Sequence, residues 1–273
     1  MPRTRTYGLD VDTIAFAARV KAGSGKTLLP DSLKQINKFI IGTKKLGLWN
    51  TMVCWPMRSI HNAGTGSTVY SLGGLGTYNG TMTNGPTWGN NGMAFPITSS
   101  YIDALNTAII SSGAGPFSTG VIAKSSNAST SDGNFRTLIA KASILNLGFN
   151  QFNLGARNLG YNGLLFRLWA DTIYLTNQIS NLWNNQFKVI QAEATSGGPY
   201  TLKTSGIASG VSSHTNTYNL QNDLNIRIGG NSYGVLSWDG EIAFTFYSKR
   251  IGFMPLIETL LKQTIGTGLN MPY

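Results

Sequence analysis

The sequence predicts a mainly β protein: a β-sandwich preceded by a helical hairpin and closed by a short C-terminal helix. Three observations carry that expectation. Charged residues make up 12% of the 273-residue chain, against about 25% in ordinary soluble domains; 33 glycines and many Asn, Ser and Thr stand in their place. Before Trp49, apolar residues recur at helical spacing. After it, short alternating segments follow one another between tight-turn sequences.

The helices come first. In DVDTIAFAARVKA (10–22), Ile14, Ala17, Ala18 and Lys21 share a helical spacing, and Asp10 or Asp12 can cap the start. In DSLKQINKFIIGTKKL (31–46), Leu33, Ile36, Phe39 and Ile40 form one apolar face, with Asp31 as the expected N-cap. Lys44 and Lys45 fall at the C-terminal end, where positive charge is favoured. Residues 10–46 therefore read as a helical hairpin. Two helices this short are marginal alone in water, so their apolar faces (Ile14, Phe16, Ala18; Leu33, Ile36, Ile40) need a covering surface.

The link between them, KAGSGKTLLP (21–30), ends like a phosphate-binding loop at Gly25-Lys26-Thr27. That loop requires G-x-x-x-x-G-K-[ST] after a buried strand. Here Val20 stands at the first glycine position, and the stretch follows a helix. Pro30 interrupts the turns that a nucleotide-binding helix would run unbroken. The segment reads as a link between helices, with no nucleotide bound.

Residues 64–92, GTGSTVYSLGGLGTYNGTMTNGPTWGNNG, admit only short strands between tight turns. TGVIAK (119–124), FRTLIAKAS (135–143), LLFRLWADTIYLT (164–176), FKVIQAEA (187–194), NDLNIRIGG (222–230) and EIAFTFYSK (241–249) are β-like. In the last, alternation puts Ile242, Phe244 and Phe246 on one face and Ala243, Thr245 and Tyr247 on the other. Many short strands of this kind make a sandwich. PLIETLLKQT (255–264) has helical spacing at Leu256, Leu260 and Leu261.

The most specific pattern is LNIRIGGNSYGVLSWDGEIAFTFYSKRIGFMPLIETLLKQT (224–264). It resembles the closing strands of the concanavalin A-like, or laminin G-like, jelly roll. There the last strand leads to a Y-x-R-x-L step and a small amphipathic helix; Tyr247, Arg250 and Ile251 take those places here. Over residues 31–95, a polar helix ends in Leu48-Trp49-Asn50-Thr51-Met52, and Trp55-Pro56 and glycine-rich strands follow. This resembles the N-terminal pattern of jelly-roll proteins among the virion structural genes of tailed bacteriophages. The resemblance implies an attachment and assembly segment, 1–46, and a jelly roll, 47–273. It implies a non-enzymatic structural subunit of a phage particle, as capsid decoration, fibre or tail-associated protein. Such a subunit is made in the host cytoplasm, is carried in the virion, and contacts other virion proteins, further copies of itself and host-surface glycans. A carbohydrate-binding adhesin module is the alternative, and a glycosidase the third reading.

The residues that could carry chemistry are few. The net charge is +10, with nine basic against three acidic residues in the first 50. The excess forms no run or stripe, and phosphate recognition needs clustered charge, so no specific nucleic acid partner is expected. Cys54, in VCWPM, reads as a core residue. His61 and His214 are too far apart to suggest zinc. Calcium wants several oxygen ligands, and Asp132, Asp171 and Asp223 each stand alone. Asp239 and Glu241 share a strand face about 6–7 Å apart, a spacing some glucanases use for acid–base hydrolysis. The run continues with Ala243 and Phe244, however, and the chain holds only three Glu; a turn and a strand start explain the pair. No catalytic residue, cofactor or metal is therefore expected. Nor does the chain show a signal peptide or a run of 18 apolar residues to span a membrane. Aromatic faces in Gly/Asn-rich loops can pack on sugar rings or on a neighbouring subunit, which singles out Tyr78, Trp88, Tyr161 and Tyr233. Trp169, Trp183 and Trp238 are expected in the core or on a sheet. The MPRTRTYG arm would hold one conformation only against a neighbour. Its Arg3 and Arg5, with Lys44 and Lys45, form the expected anchor on an acidic partner surface.

Overall fold

A computed structural model describes residues 8–96, 99–108, 110–125, 135–141, 152–158, 162–168, 171–175, 185–205, 207–211, 217–220, 224–230 and 238–271. The hairpin is α1 (Val11–Ser24) and α2 (Pro30–Lys45). The strands that follow are β1 (Met52–Pro56), β2 (Thr68–Val69), β3 (Gly80–Thr83), β4 (Thr87–Trp88), β5 (Met93–Phe95), β6 (Tyr101–Ala104), β7 (Phe117–Lys124) and β8 (Phe135–Lys141). Next come β9 (Phe152–Asn158), β10 (Asn162–Leu168), β11 (Asp171–Leu175), β12 (Lys188–Ala194), β13 (Thr201–Thr204), β14 (Ile207–Val211), β15 (Ile226–Ile228) and β16 (Gly240–Ser248). A final helix, α3, spans Met254–Gln263.

The strands form two eight-stranded antiparallel sheets. The first runs β14-β13-β12-β7-β16-β5-β4, with β1 also on β16; the second runs β11-β10-β9-β8-β15-β6-β3-β2. Between them lies a core that includes Trp55, Phe117, Phe152, Phe166, Tyr200, Tyr218 and Tyr247. Phe117 sits at its centre, 5.0 Å from the Phe152 ring and 5.7 Å from that of Tyr247. This is the sandwich the sequence predicts. LLFRLWADTIYLT, read there as one segment, divides into β10 and β11, paired antiparallel.

The first sheet is apolar on its outward side too. Cys54, Ile122, Val189, Phe244 and Phe246 join Phe16, Val20, Ile36, Phe39 and Ile40 of the hairpin, and Ile257 and Leu261 of α3, in a second cluster. The rings of Phe39 and Phe244 meet edge to face at 5.2 Å and 73°. A β-bulge interrupts β16 between Ile242 and Phe244. It corrects the alternation expected from the sequence: Ile242 faces the inter-sheet core with Tyr247, while Ala243, Phe244 and Phe246 face the helices. One inserted residue reverses the phase of everything after it.

The helix ends follow local chemistry. Asp10 caps α1, its carboxylate accepting from the Asp12 amide at 3.0 Å. Gly25 closes it in the left-handed conformation, at φ 75°. Asp31 is not the cap of α2. Leu29 holds that position and Pro30 opens the first turn, where its missing N–H has no partner to lose. The buried face of α1 is Thr13, Phe16 and Val20; Ile14 and Ala18 point outward. In α3 the buried positions include Ile257 and Leu261, and Leu256 is exposed.

Several polar contacts tie the layers together. The Lys26 ammonium donates to the Ser59 carbonyl, so the Gly-Lys-Thr stretch latches the hairpin link to the sandwich. His61, fully buried, meets Gln35 of α2 through Nε2 at 2.6 Å. Arg58, 5% exposed, donates to the carbonyls of Asn90, Ile265 and Thr267 and holds the segment after α3.

Candidate functional site

The residues singled out in the sequence are mostly engaged within the chain. Tyr78 is half-buried against the inter-sheet core, and its carbonyl accepts from the Trp55 indole at 2.7 Å. Trp88 packs on both apolar clusters and donates to the Gly66 carbonyl at 3.0 Å. Lys44 bridges Asp10 and Asp12, at 2.7 Å each, below the Trp49 ring. Lys45 is exposed. Tyr161, Tyr233, Arg3 and Arg5 lie outside the described residues, as do Trp169 and Trp183. Trp238 is core, 1% exposed, and Cys54 is buried, which pushes its thiol pKa well up. Of the carboxylate pair, Glu241 is held by Lys124 at 2.9 Å across the β16–β7 ladder. Among the described residues no group of three or more His, Cys, Asp or Glu is placed to hold a metal.

A different cluster stands on the outward face of the second sheet. The register puts Thr81 of β3, Asp103 of β6, Arg227 of β15, Ala140 of β8 and Asn153 of β9 in one row across the strands. Their chain neighbours Ile102, Ala104, Ile226, Ile228, Phe152 and Leu154 are buried in the core, so strand alternation sends the row to the opposite face, where Ala140 is itself fully covered. Tyr101, two residues before Asp103, shares this face opposite Thr83.

The Arg227 guanidinium lies over the Tyr101 ring, 4.5 Å from its centroid. Its Nε is 3.7 Å from Asp103 Oδ2, a long ion pair whose side chains are 16% and 24% exposed. The two Nη groups meet no acceptor among the described residues. Asp103 Oδ1 is shielded and has no donor, and the same holds for Asn153 Oδ1. Asn153 spends its amide on Thr137 Oγ1 at 3.3 Å. Buried acceptors are almost always paired, and one left unpaired costs roughly 1–3 kcal/mol. Beside an aromatic ring, this face thus carries guanidinium donors with unused capacity and a carboxylate held only by a long ion pair, the equipment for holding a hydroxyl-bearing molecule.

Sequence reasoning did not find it. Tyr101 and Asp103 sit in a four-residue strand, and Arg227 comes far later, inside the NIRIGG segment. The alternation in that segment shows that Arg227 points away from its isoleucines. Only the adjacency of β6 and β15 brings Asp103 and Tyr101 beside it.

No protein-family model matches the chain, and no curated protein matches it in sequence. Solved structures do resemble it. The binding domain of botulinum neurotoxin serotype D superimposes with a TM-score of 0.54 at 13% identity, over 80% of this chain and 53% of that one. The serotype D ligand-binding domain in complex with N-acetylneuraminic acid gives 0.52 at 16% identity, over 80% and 52%. A type C neurotoxin structure, described as depending on two ganglioside molecules for cell entry, gives 0.50 at 13%, over 79% and 53%. The chain spans about half the length of these neighbours. At such identities the likeness speaks for architecture: the fold is a jelly-roll β-sandwich with an N-terminal helical pair and a C-terminal helix.

Proposed function

We propose that the chain is a non-catalytic carbohydrate-binding β-sandwich whose ligand surface is the Tyr101–Asp103–Arg227 face of the second sheet. The carrying observation is the unused hydrogen-bonding capacity there: Nη donors held on an aromatic ring that meet no acceptor among the described residues, beside a carboxylate whose Oδ2 has only a long ion pair at 3.7 Å. Sugars present many hydroxyls, each both donor and acceptor, and this face offers guanidinium donors beside a carboxylate to meet them. The neurotoxin binding domains, described with N-acetylneuraminic acid and gangliosides, support a saccharide ligand on this architecture. The test is binding of the whole chain to a glycan array. Wild type should label a discrete set of glycans, and Arg227→Ala should lose them while still unfolding in one cooperative transition. A blank array would remove the reading.

A second reading places the same sandwich in a bacteriophage virion, as capsid decoration, fibre or tail-associated subunit attached through residues 1–46. One observation favours it. The outward side of α1 carries Val11 at 73% and Ile14 at 54% exposure, next to exposed Ala15, Ala18 and Ala22. An apolar stripe on a helix whose opposite face is already packed suits a further protein surface. Val11→Glu with Ile14→Glu should leave the fold intact and abolish self-association in sedimentation, or incorporation into particles. Unchanged assembly removes the anchor assignment.

A further inference from the structure

We infer that the Asp103–Arg227 face takes a neutral saccharide through two neighbouring hydroxyls, and discriminates against the acidic sugar of a sialylated glycan. This rests on the carbohydrate-binding reading above and names its ligand class.

The argument is one of donors, acceptors and charge. Arg227 offers donors only and Asp103 acceptors only, whereas a hydroxyl does both. Two adjacent hydroxyls therefore satisfy the pair together: one accepts from an Arg227 Nη, and the other donates to the Asp103 carboxylate. A ligand carboxylate could accept from Arg227, but it would leave Asp103 without a donor and set two anions side by side. Between themselves this cation and this anion, 3.7 Å apart, carry no net positive charge to offset that.

The geometry favours the same partner. Stacking on Tyr101 holds the guanidinium in place, so less freedom is lost when its Nη groups bind. Asp103 Oδ1 has no hydrogen bond to give up, and the terminal torsion of an aspartate is soft. The other oxygen, Oδ2, meets Arg227 only at a long 3.7 Å and keeps lone pairs for a sugar hydroxyl.

The test prints each oligosaccharide on one array with and without terminal sialic acid. Binding to neutral members is expected. It should fall at least about tenfold in Arg227→Ala and in Asp103→Ala, the effect of losing one good hydrogen bond. Asp103→Asn keeps an acceptor and removes the charge, so it should retain neutral binding and newly admit sialylated members. Each variant is checked against the wild-type melting temperature. Wild-type labelling confined to sialylated glycans, and dependent on Arg227, sinks this inference and leaves the carbohydrate-binding reading intact. Neutral binding unchanged by both alanine variants also sinks it, because the sugar then sits elsewhere. No labelling at all sinks both.

Discussion

Replacing Phe39 by alanine tests whether the hairpin and the sandwich are one cooperative unit. Phe39 is 0% exposed, and so is its partner Phe244 on β16; their rings meet at 5.2 Å. Truncating a fully buried phenylalanine costs about 3–5 kcal/mol, the transfer of the ring plus the cavity it leaves. The edge-to-face pair accounts for about 0.5–1.5 kcal/mol of that. Urea unfolding should be followed by tryptophan fluorescence and by far-ultraviolet circular dichroism together. Trp55 and Trp238 report the inter-sheet core and Trp49 the hairpin side, while dichroism reports helix and strand. Phe39→Ala should move the midpoint of a single transition, coincident for both probes, with an unchanged denaturant slope. A double-mutant cycle with Phe244→Ala should return about 0.5–1.5 kcal/mol of coupling. A loss below about 1 kcal/mol, or an early transition carrying only helical signal, would refute the reasoning: the hairpin would then be an independent appendage.

Stability should also depend on pH through His61. Burial first, then Arg58 and Lys26, hold its folded pKa at about 3, against 6.5 unfolded. The unfolded chain thus takes up a proton that the folded chain refuses. The contribution is whole above pH 6.5 and drains away as pH falls toward 3, by up to about 1.4 kcal/mol per unit. Urea titrations between about pH 7 and 5, above the carboxylate range, should show this slope, and His61→Gln should flatten it; a variant keeping the wild-type slope contradicts the assignment. Lys26→Ala should cost about 1–2 kcal/mol, since its ammonium holds the Ser59 carbonyl while partly exposed. Millimolar ATP should not raise the melting temperature, and an ATP-dependent rise abolished by that change would restore the phosphate-loop reading. Glu241→Gln should release no fewer reducing ends from polysaccharides than wild type, both being blank, and should change stability by less than about 1 kcal/mol. Cleavage that vanishes in the variant would make Glu241 catalytic.

The parts of this fold legible in the sequence are those where one face is apolar and the other is not. Ile36, Phe39 and Ile40 mark the buried face of α2 because Lys34 and Lys38 mark the other. The inward face of α1 was not legible. Ile14 and Ala18 are as apolar as Phe16 and Val20, and the helix shows the same chemistry on both sides. The middle of the first sheet posed the same problem, β7, β12 and β16 being buried on both faces, and the bulge at Ala243 carries no composition signal. The candidate site was hidden for another reason. Asp103 and Arg227 become neighbours through sheet order alone, and a single sequence records no strand adjacency. Lys26 shows the converse: a local motif was legible, but the Ser59 carbonyl that gives it a role is 33 residues away.

The three-sided engagement of β16 bears on how the chain reaches its fold. On one edge it pairs with β7; on the other, β5 and β1 share it end to end. Thr51 and Ser248, 197 residues apart, come within 3.3 Å across one of these ladders. Until β16 is synthesised, β1, β5 and β7 all present open edges, and the apolar residues of both clusters around them have no middle strand. Closure of such distant loops makes folding slow, and open edges with exposed apolar surface invite aggregation meanwhile. A nascent chain halted before residue 240 should therefore bind chaperones persistently, and release should follow soon after β16 and α3 emerge. The glycines and uncharged polar residues that flank these strands would then serve the unfinished chain as much as the finished one, by keeping it soluble while it waits.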